Sequence, residues 1–287
     1  MQVLRLVIDR VKVIIKHTIH FLILYLGSTV TGRAQDVDTI LRHRFFITTA
    51  FNRVDSRDEQ ASPLLYYGNG TPLGFGYEYR GDSYRHTLRF SFSVSDVNAN
   101  SLQPDLQDDP FGRKVFFTNG FLTYSYIRDC AKTPDGTLQY SYGLAFDNVG
   151  FLREYKYYGG DLYSAGGEAT WEELNMLSPV IRVDYALGSS QKINSILMLP
   201  LISLVGRPGY NLMNTNTQII SGNNFHLVLL GGLLGWNYSL TFEQKIWDAL
   251  VVSALYESRY YRYTRYGWST SMLIQDIALQ LSWRFGL

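Results

Sequence analysis

Large apolar side chains recur at every second position along most of this 287-residue chain, and that period constrains the fold more than any other feature. Leu73, Phe75, Tyr77 and Tyr79 alternate with Gly74, Gly76, Glu78 and Arg80. Leu88, Phe90, Phe92 and Val94 alternate with Thr87, Arg89, Ser91 and Ser93. The same rhythm returns over 138–147, 234–243 and 277–285. A period of two sends successive side chains to opposite faces of an extended strand. Each run therefore has one large apolar face and one small or polar face.

Such strands have two homes. In a soluble sandwich the apolar face packs on a second sheet. In a membrane barrel it faces lipid, and the small polar face lines a lumen. The runs are about ten to fourteen residues long, beyond the five or six usual in soluble sheets and near the ~9–11 tilted residues that cross a bilayer. Aromatic pairs sit near their ends, at Tyr77/Tyr79, Tyr124/Tyr126, Trp236/Tyr238 and Trp283/Phe285, as interfacial girdles require. The reading is an all-β, closed antiparallel transmembrane barrel.

Strands are expected near 41–53, 72–81, 84–97, 114–128, 137–151, 177–187, 192–205, 233–246, 249–264 and 268–286. Ten is even, as single-chain bacterial barrels require. Two further strands within Ile219–Leu234 would make twelve; eight would leave too much alternating sequence over. Long outer connections are expected at 54–71, 98–113, 152–176 and 206–232, with short turns at the other end, where both termini lie on the periplasmic side. Pro200 falls inside the seventh strand, where it removes a ladder donor, so a bulge or a strand end is expected there. Ile193–Gly206 is too short, and broken by Pro200, for a spanning helix.

The N-terminus carries Arg5, Arg10, Lys12 and Lys16, then the uncharged run Phe21–Val30, then small residues at Gly32 and Ala34. This order reads as a signal peptide over 1–34 with a single barrel domain over 35–287. Removing the segment turns a net charge of +1 into a mildly acidic mature chain. That balance argues against nucleic acid as a partner. The single Cys130 excludes a disulfide scaffold.

The C-terminal strand ends Leu279-Gln280-Leu281-Ser282-Trp283-Arg284-Phe285-Gly286-Leu287. Together with the alternating strands and the Ala34–Gln35-Asp36 junction, this ending resembles Gram-negative outer-membrane β-barrel proteins, with a junction similar to that of Bacteroidetes exports. It departs from their commonest form in closing on Leu287 rather than Phe. The resemblance implies placement in the cell outer membrane, handling by the barrel-assembly machinery, and contact with outer-membrane lipids and lipopolysaccharide. It names no subfamily.

Some barrels of this kind are enzymes that set His beside Ser or acids near the outer rim. The mature chain has His43, His86 and His226. The first two open strands at the periplasmic end, where an interfacial or solvated role is expected. His226 lies in a long connection with Ser221 near it in sequence, and no lipase-like or paired-Asp pattern accompanies it. No catalytic residue is assigned. Asp96, Asn98 and Asn100 have alternate-oxygen spacing, but Ser101 and Gln107 occupy the positions where a calcium loop needs Gly and Glu. Asp105, Asp108 and Asp109 leave a looser calcium site open, with a solvated acidic loop as the default. No metal or cofactor is expected. Asn69-Gly70-Thr71 reads as a turn rather than a glycan acceptor.

The sharper signal is Tyr/Arg interleaving at expected outer ends. Arg259, Arg262 and Arg265 stand among Tyr260, Tyr263 and Trp268, and Arg153 and Lys156 stand in a second such stretch. Arg forks match phosphate geometry and aromatic rings suit a half-wet interface. These eight residues are the candidates for lipid or glycan contact. Inside the lumen, Glu78, Arg80, Arg89, Arg182, Asp184, Glu243, Glu257 and Arg284 are expected as a charge cluster, with Arg259 on the same face. Buried charges must pair or stay hydrated, and ten strands leave little free bore. The function expected is a non-catalytic structural, adhesive or accessory subunit with a polar plugged lumen, with a protein partner in a larger membrane complex among the expected partners. A lipid- or peptide-acting enzyme and a narrow solute channel are the alternatives.

Overall fold

The computed structural model describes residues 41–58, 62–99, 114–156, 168–207, 225–229, 232–265 and 268–286. The signal segment expected over 1–34 lies outside them. Thirteen strand segments form one antiparallel sheet: β1 (His43–Asp58), β2 (Ser62–Gly70), β3 (Leu73–Arg80), β4 (Tyr84–Ala99), β5 (Lys114–Lys132), β6 (Leu138–Lys156), β7 (Glu168–Ala186), β8 (Gln191–Met198), β9 (Ile202–Gly206), β10 (Phe225–Leu229), β11 (Leu233–Lys245), β12 (Leu250–Arg265) and β13 (Trp268–Phe285).

Three pairs of segments continue one another along the wall: β2 with β3, β8 with β9, and β10 with β11. Counted as single staves they give a ring of ten. Closure is made by β1 against β13, paired from His43–Phe285 to Asp58–Thr270. A closed ring leaves every stave a neighbour on both sides, which is what lets a sheet cross hydrocarbon. The run expected to hold two extra strands holds only β10 among its described residues, so the count stays at ten.

Thr71 and Pro72 separate β2 from β3 without a change of register. Gly70 faces Asn52, Leu73 faces Thr49, and Ala50 N–H donates to the Pro72 carbonyl at 3.0 Å. Pro200 is different. Met198 faces Val180 but Ile202 faces Leu177, so the β8–β9 stave spends one residue more than β7. Leu199 N–H donates to the Pro179 carbonyl at 3.3 Å and Leu201 N–H to that of Leu177 at 3.0 Å. The ladder passes round Pro200 as a bulge, and its missing donor is not needed.

The staves are taller than the sequence suggests. The outer connection expected at 54–71 is mostly ladder, with Arg57 facing Leu65 and Val54 facing Gly68. Likewise β6 and β7 stay paired up to Tyr155 and Glu168, inside the connection expected at 152–176. Turn-forming residues such as Asp55, Ser56 and Gly68 hide these extensions. Pairing carried up from below overrides local preference.

Both described chain ends lie at one end of the ring, here the termini end, together with the short turns 81–83, 133–137, 187–190 and 246–249. Gly136 closes one of those turns with φ +73°, a left-handed backbone suited to glycine. The opposite end is the loop end. Around the outside runs a broad apolar belt in which Phe90, Phe92, Leu122, Leu144, Phe146 and Ile277 are all exposed. Such a belt suits a hydrocarbon surround, not water.

Candidate functional site

Strand parity decides which side chains enter the lumen. On β4 the residues Arg85, Ser91, Ser93, Ser95 and Val97 are buried, while Leu88, Phe90, Phe92 and Val94 point outward. On β12 the odd positions Glu257, Arg259, Tyr261 and Tyr263 are buried and Arg262 is exposed. The interior so assembled has three storeys.

The lowest, at the termini end, is ionic. Arg44 on β1 reaches across the lumen to Glu243 on β11 at 2.8 Å, and Arg284 approaches the same carboxylate at 3.5 Å. Arg85 on β4 spans to Asp184 on β7 at 3.3 Å and also meets Asp129 at 3.3 Å. Arg182 grips Asp184 through Nε and Nη2 at 3.0–3.1 Å, and Lys192 adds a contact at 2.9 Å. A guanidinium fork on a carboxylate gives two parallel bonds, the arrangement that best offsets the cost of burial.

The middle storey holds Glu257 between Arg89 of β4 and Arg259. Arg259 also meets Asp276 at 3.3 Å. Asp147 accepts from Thr123 Oγ1 at 2.6 Å. Arg259 lies 4.2 Å from the centroid of Phe121, a cation–π contact that joins this storey to the next.

The upper storey is apolar. Val54, Phe117, Phe151, Leu174, Met176 and Ile274 belong to one buried cluster inside the wall. Phe117 and Phe151 stack at 5.7 Å, and Phe121 meets Phe151 edge-on at 6.0 Å. Toward the loop end, Glu172 takes Arg153 at 2.8 Å, Arg207 at 3.5 Å and the Tyr263 hydroxyl. Arg153 Nε also donates to Ser56 Oγ on β1 at 3.2 Å. A lumen expected to be lined by small and polar side chains therefore carries an apolar layer in its loop half, with the Glu172 ion pairs above it. In the upper parts of β5, β6 and β7 the faces exchange character: Phe117, Phe121, Val149, Phe151, Leu174 and Met176 turn inward, while Thr118, Asn148, Glu173 and Asn175 face out.

Two interior cavities of about 110 and 50 Å³ lie in the lower and middle storeys. Neither is lined by a residue of the apolar cluster. They share Arg44, Glu78, Arg182 and Glu243 as a common wall.

Of the residues expected in the lumen, Glu78, Arg182 and Glu243 line both cavities, Arg89 and Glu257 the larger, and Arg80 and Arg284 the smaller. Asp184 is buried among Arg85, Arg182 and Lys192. The parity of β4 and β13 would have added Arg85 and Asp276. The parity of β6 would have added Asp147 as well, whereas Arg44, Asp129, Glu172, Lys192 and Arg207 were missed because each stands outside the cleanly alternating stretches.

The Tyr/Arg interleaving divides. Arg153, Arg259 and Tyr263 turn inward and are buried, so they are not available to outer lipid or glycan. Arg259 and Arg262 have opposite parity on one strand and cannot share a face. Arg262 is exposed, and Tyr260 stacks on Trp236 at 4.5 Å. The side chains of Lys156, Arg265 and Trp268 lie outside the described residues.

His43 bonds the Tyr77 hydroxyl at 2.5 Å and His86 that of Tyr124 at 2.7 Å, both in an exterior ring of Tyr79, Tyr84 and Tyr126 at the termini end. His226 sits on β10 opposite Val205; Ser221 lies outside the described residues. So does most of the acidic stretch 96–109, of which Asp96 and Asn98 are exposed on β4. No metal-holding cluster occurs among the described residues. Asn69 is paired within β2 rather than in a turn, and Cys130 is exposed.

The class of protein follows from wall and belt together: a closed antiparallel barrel of the outer-membrane type. Its fold is similar to that of the outer membrane protease OmpT from Escherichia coli, with a TM-score of 0.53 at 7% identity over 88% of this chain and 99% of that one. A second similar structure is the β domain of the Bordetella autotransporter BrkA, with a TM-score of 0.37 at 10% identity over 85% of this chain and 99% of that one. The sequence matches no protein-family model and no curated protein.

Proposed function

We propose that this chain is an integral outer-membrane barrel with a plugged lumen, serving as a structural, adhesive or accessory subunit rather than as a catalyst or an open pore. One observation carries the reading. Cross-lumen pairs such as Arg44–Glu243 and Arg85–Asp184 stand below an apolar layer built around Phe117 and Phe151. An ion crossing that layer would lose hydration and find no replacement ligand. The side chains that would otherwise line a pore are spent on one another.

In this reading both termini face the periplasm, the apolar belt faces lipid, and Arg262 with Tyr260 meets the headgroup and lipopolysaccharide region. The barrel-assembly machinery would insert the chain, and a protein partner would engage the loop end.

The test is recording from the purified full chain in planar bilayers, alongside mild-detergent pulldown from native membranes. Silent bilayers and a stoichiometric co-purifying protein support the proposal. Stable single-channel steps would replace it with a conducting role. A lone monomer that hydrolyses peptide or phospholipid, with activity lost in His226→Ala, would replace it with an enzyme.

A further inference from the structure

The smaller cavity, at the termini end, is lined almost entirely by cations. Arg44, Arg80, Arg85, Arg182, Lys192 and Arg284 contribute to it, and Arg42 stands at its edge; Glu78 and Glu243 are the only carboxylates in its wall. The groups that neutralise these cations stand behind them or outside. Asp184 and Asp129 hold Arg85, Arg182 and Lys192 from the far side, and Asp82 holds Arg42 at 3.0 Å. Seven cations thus meet five carboxylates, leaving two positive charges unmatched. Arg80 makes no ion pair among the described residues.

A second observation points the same way. The Nε atoms of Arg44 and Arg85 are buried without a hydrogen-bond partner, and both residues line the recess. They are only 7% and 1% exposed. A buried guanidinium N–H without an acceptor is costly, and an anion in the recess removes that cost. The space, about 50 Å³, has room for about three or four waters, roughly the size of one tetrahedral oxyanion. A second charge favours a phosphate over a carboxylate, because two unmatched cations balance a dianion.

We propose that this recess is a phosphate-binding site, entered from the termini end and independent of any partner at the loop end. Arg80 and Arg284 form its mouth, with Arg44 and Arg85 as the inner donors. The phosphoryl group can come from free phosphate or from a small phosphomonoester, since both present the same oxyanion.

The experiment is calorimetric titration of the full chain in detergent micelles at matched ionic strength, with inorganic phosphate, glycerol 3-phosphate and chloride as probes. Thermal unfolding under the same conditions gives a second readout, since a ligand that binds only the folded state raises the midpoint. One saturable site is expected for phosphate or its monoester and none for chloride. The double variant Arg80→Gln/Arg284→Gln should weaken it at least tenfold. Heat-modifiable gel migration checks that the variant folds. Arg53→Gln, exposed on the outer face of β1 toward the loop end, should bind as the parent does. Binding by glycerol 3-phosphate alone assigns the recess to an ester, and binding by phosphate alone to the free ion. Equal response to chloride, no saturable signal in either readout, or unchanged affinity in the double variant would overturn the proposal.

Discussion

Near the loop end, Phe117, Phe151, Leu174 and Ile274 fill the bore with carbon; near the termini end the same ring of staves fills it with Arg44, Arg85, Arg182, Asp184 and Glu243. Both halves narrow the bore with side chains. The apolar half does so by shape, and its side chains come from strand ends whose outer positions, such as Asn148, Glu173 and Asn175, are polar. The ionic half does so by pairs that bridge non-adjacent staves, such as Arg85 on β4 with Asp184 on β7. Packing tolerates a lost atom badly, because the void remains. Ionic struts tolerate the loss of one partner badly, yet tolerate removal of both. The two halves should therefore fail in different ways.

The largest effect is expected in the apolar half. Phe151→Ala should lower stability by about 4 kcal/mol, read from urea unfolding in micelles, because the ring packs on both Phe117 and Phe121. A loss below about 1 kcal/mol would mean that the layer is loosely filled, and the contrast between halves would fail. Next comes the ionic half. Glu243→Gln should cost about 3 kcal/mol by stranding Arg44, while Arg44→Met with Glu243→Met should come back to within about 1 kcal/mol of the parent. Additive losses in that cycle would show that the two residues are not coupled.

Leu144→Arg puts a charge on the outer face, where Leu144 is 55% exposed. It should cost about 2–3 kcal/mol in lipid vesicles and far less if water bathes that face. The smallest effect is in a turn at the termini end. The Asp135 carboxylate accepts from Thr137 N–H at 3.3 Å and Thr137 Oγ1 at 2.8 Å. Hydrogen bonds from Thr133 and Thr137 hold its pKa below the ordinary carboxylate range. That contribution is whole above the unfolded carboxylate's pKa and fades as pH falls through the lower folded one. Asp135→Asn should then unfold slightly earlier than the parent at neutral pH and converge with it in acid. A gap that widens in acid would refute the assignment.

Much of the wall could be read from the chain. Alternation on β4 and β13 fixed both strand position and facing, because one face there is small and polar and the other large and apolar. It placed Glu78, Arg89 and Glu257 on the inner side for the same reason. It failed where the faces exchange character, as in upper β6, where Val149 and Phe151 turn inward while Asn148 and Gly150 face out, because the expectation of a large apolar outer face no longer holds there. It also failed at residues 54–58 and 62–70, which resemble a loop in composition but are held in register by their neighbours. The Arg/Tyr run over 256–268 misled because composition ignores parity. The cross-lumen partners Arg44–Glu243 lie 199 positions apart in sequence, a pairing that only ring closure reveals.

One margin of the wall differs from the rest. Past the bulge at Pro200, β10 pairs with β9 over five residues and is the terminal segment of the strand order. Its described ladder is five pairs long, from Phe225–Gly206 to Leu229–Ile202. Protection against exchange follows how many neighbours must let go before an amide meets solvent. Deuterium should therefore enter at β10 before it enters any other strand, and slow unzipping of the cylinder should begin along that seam.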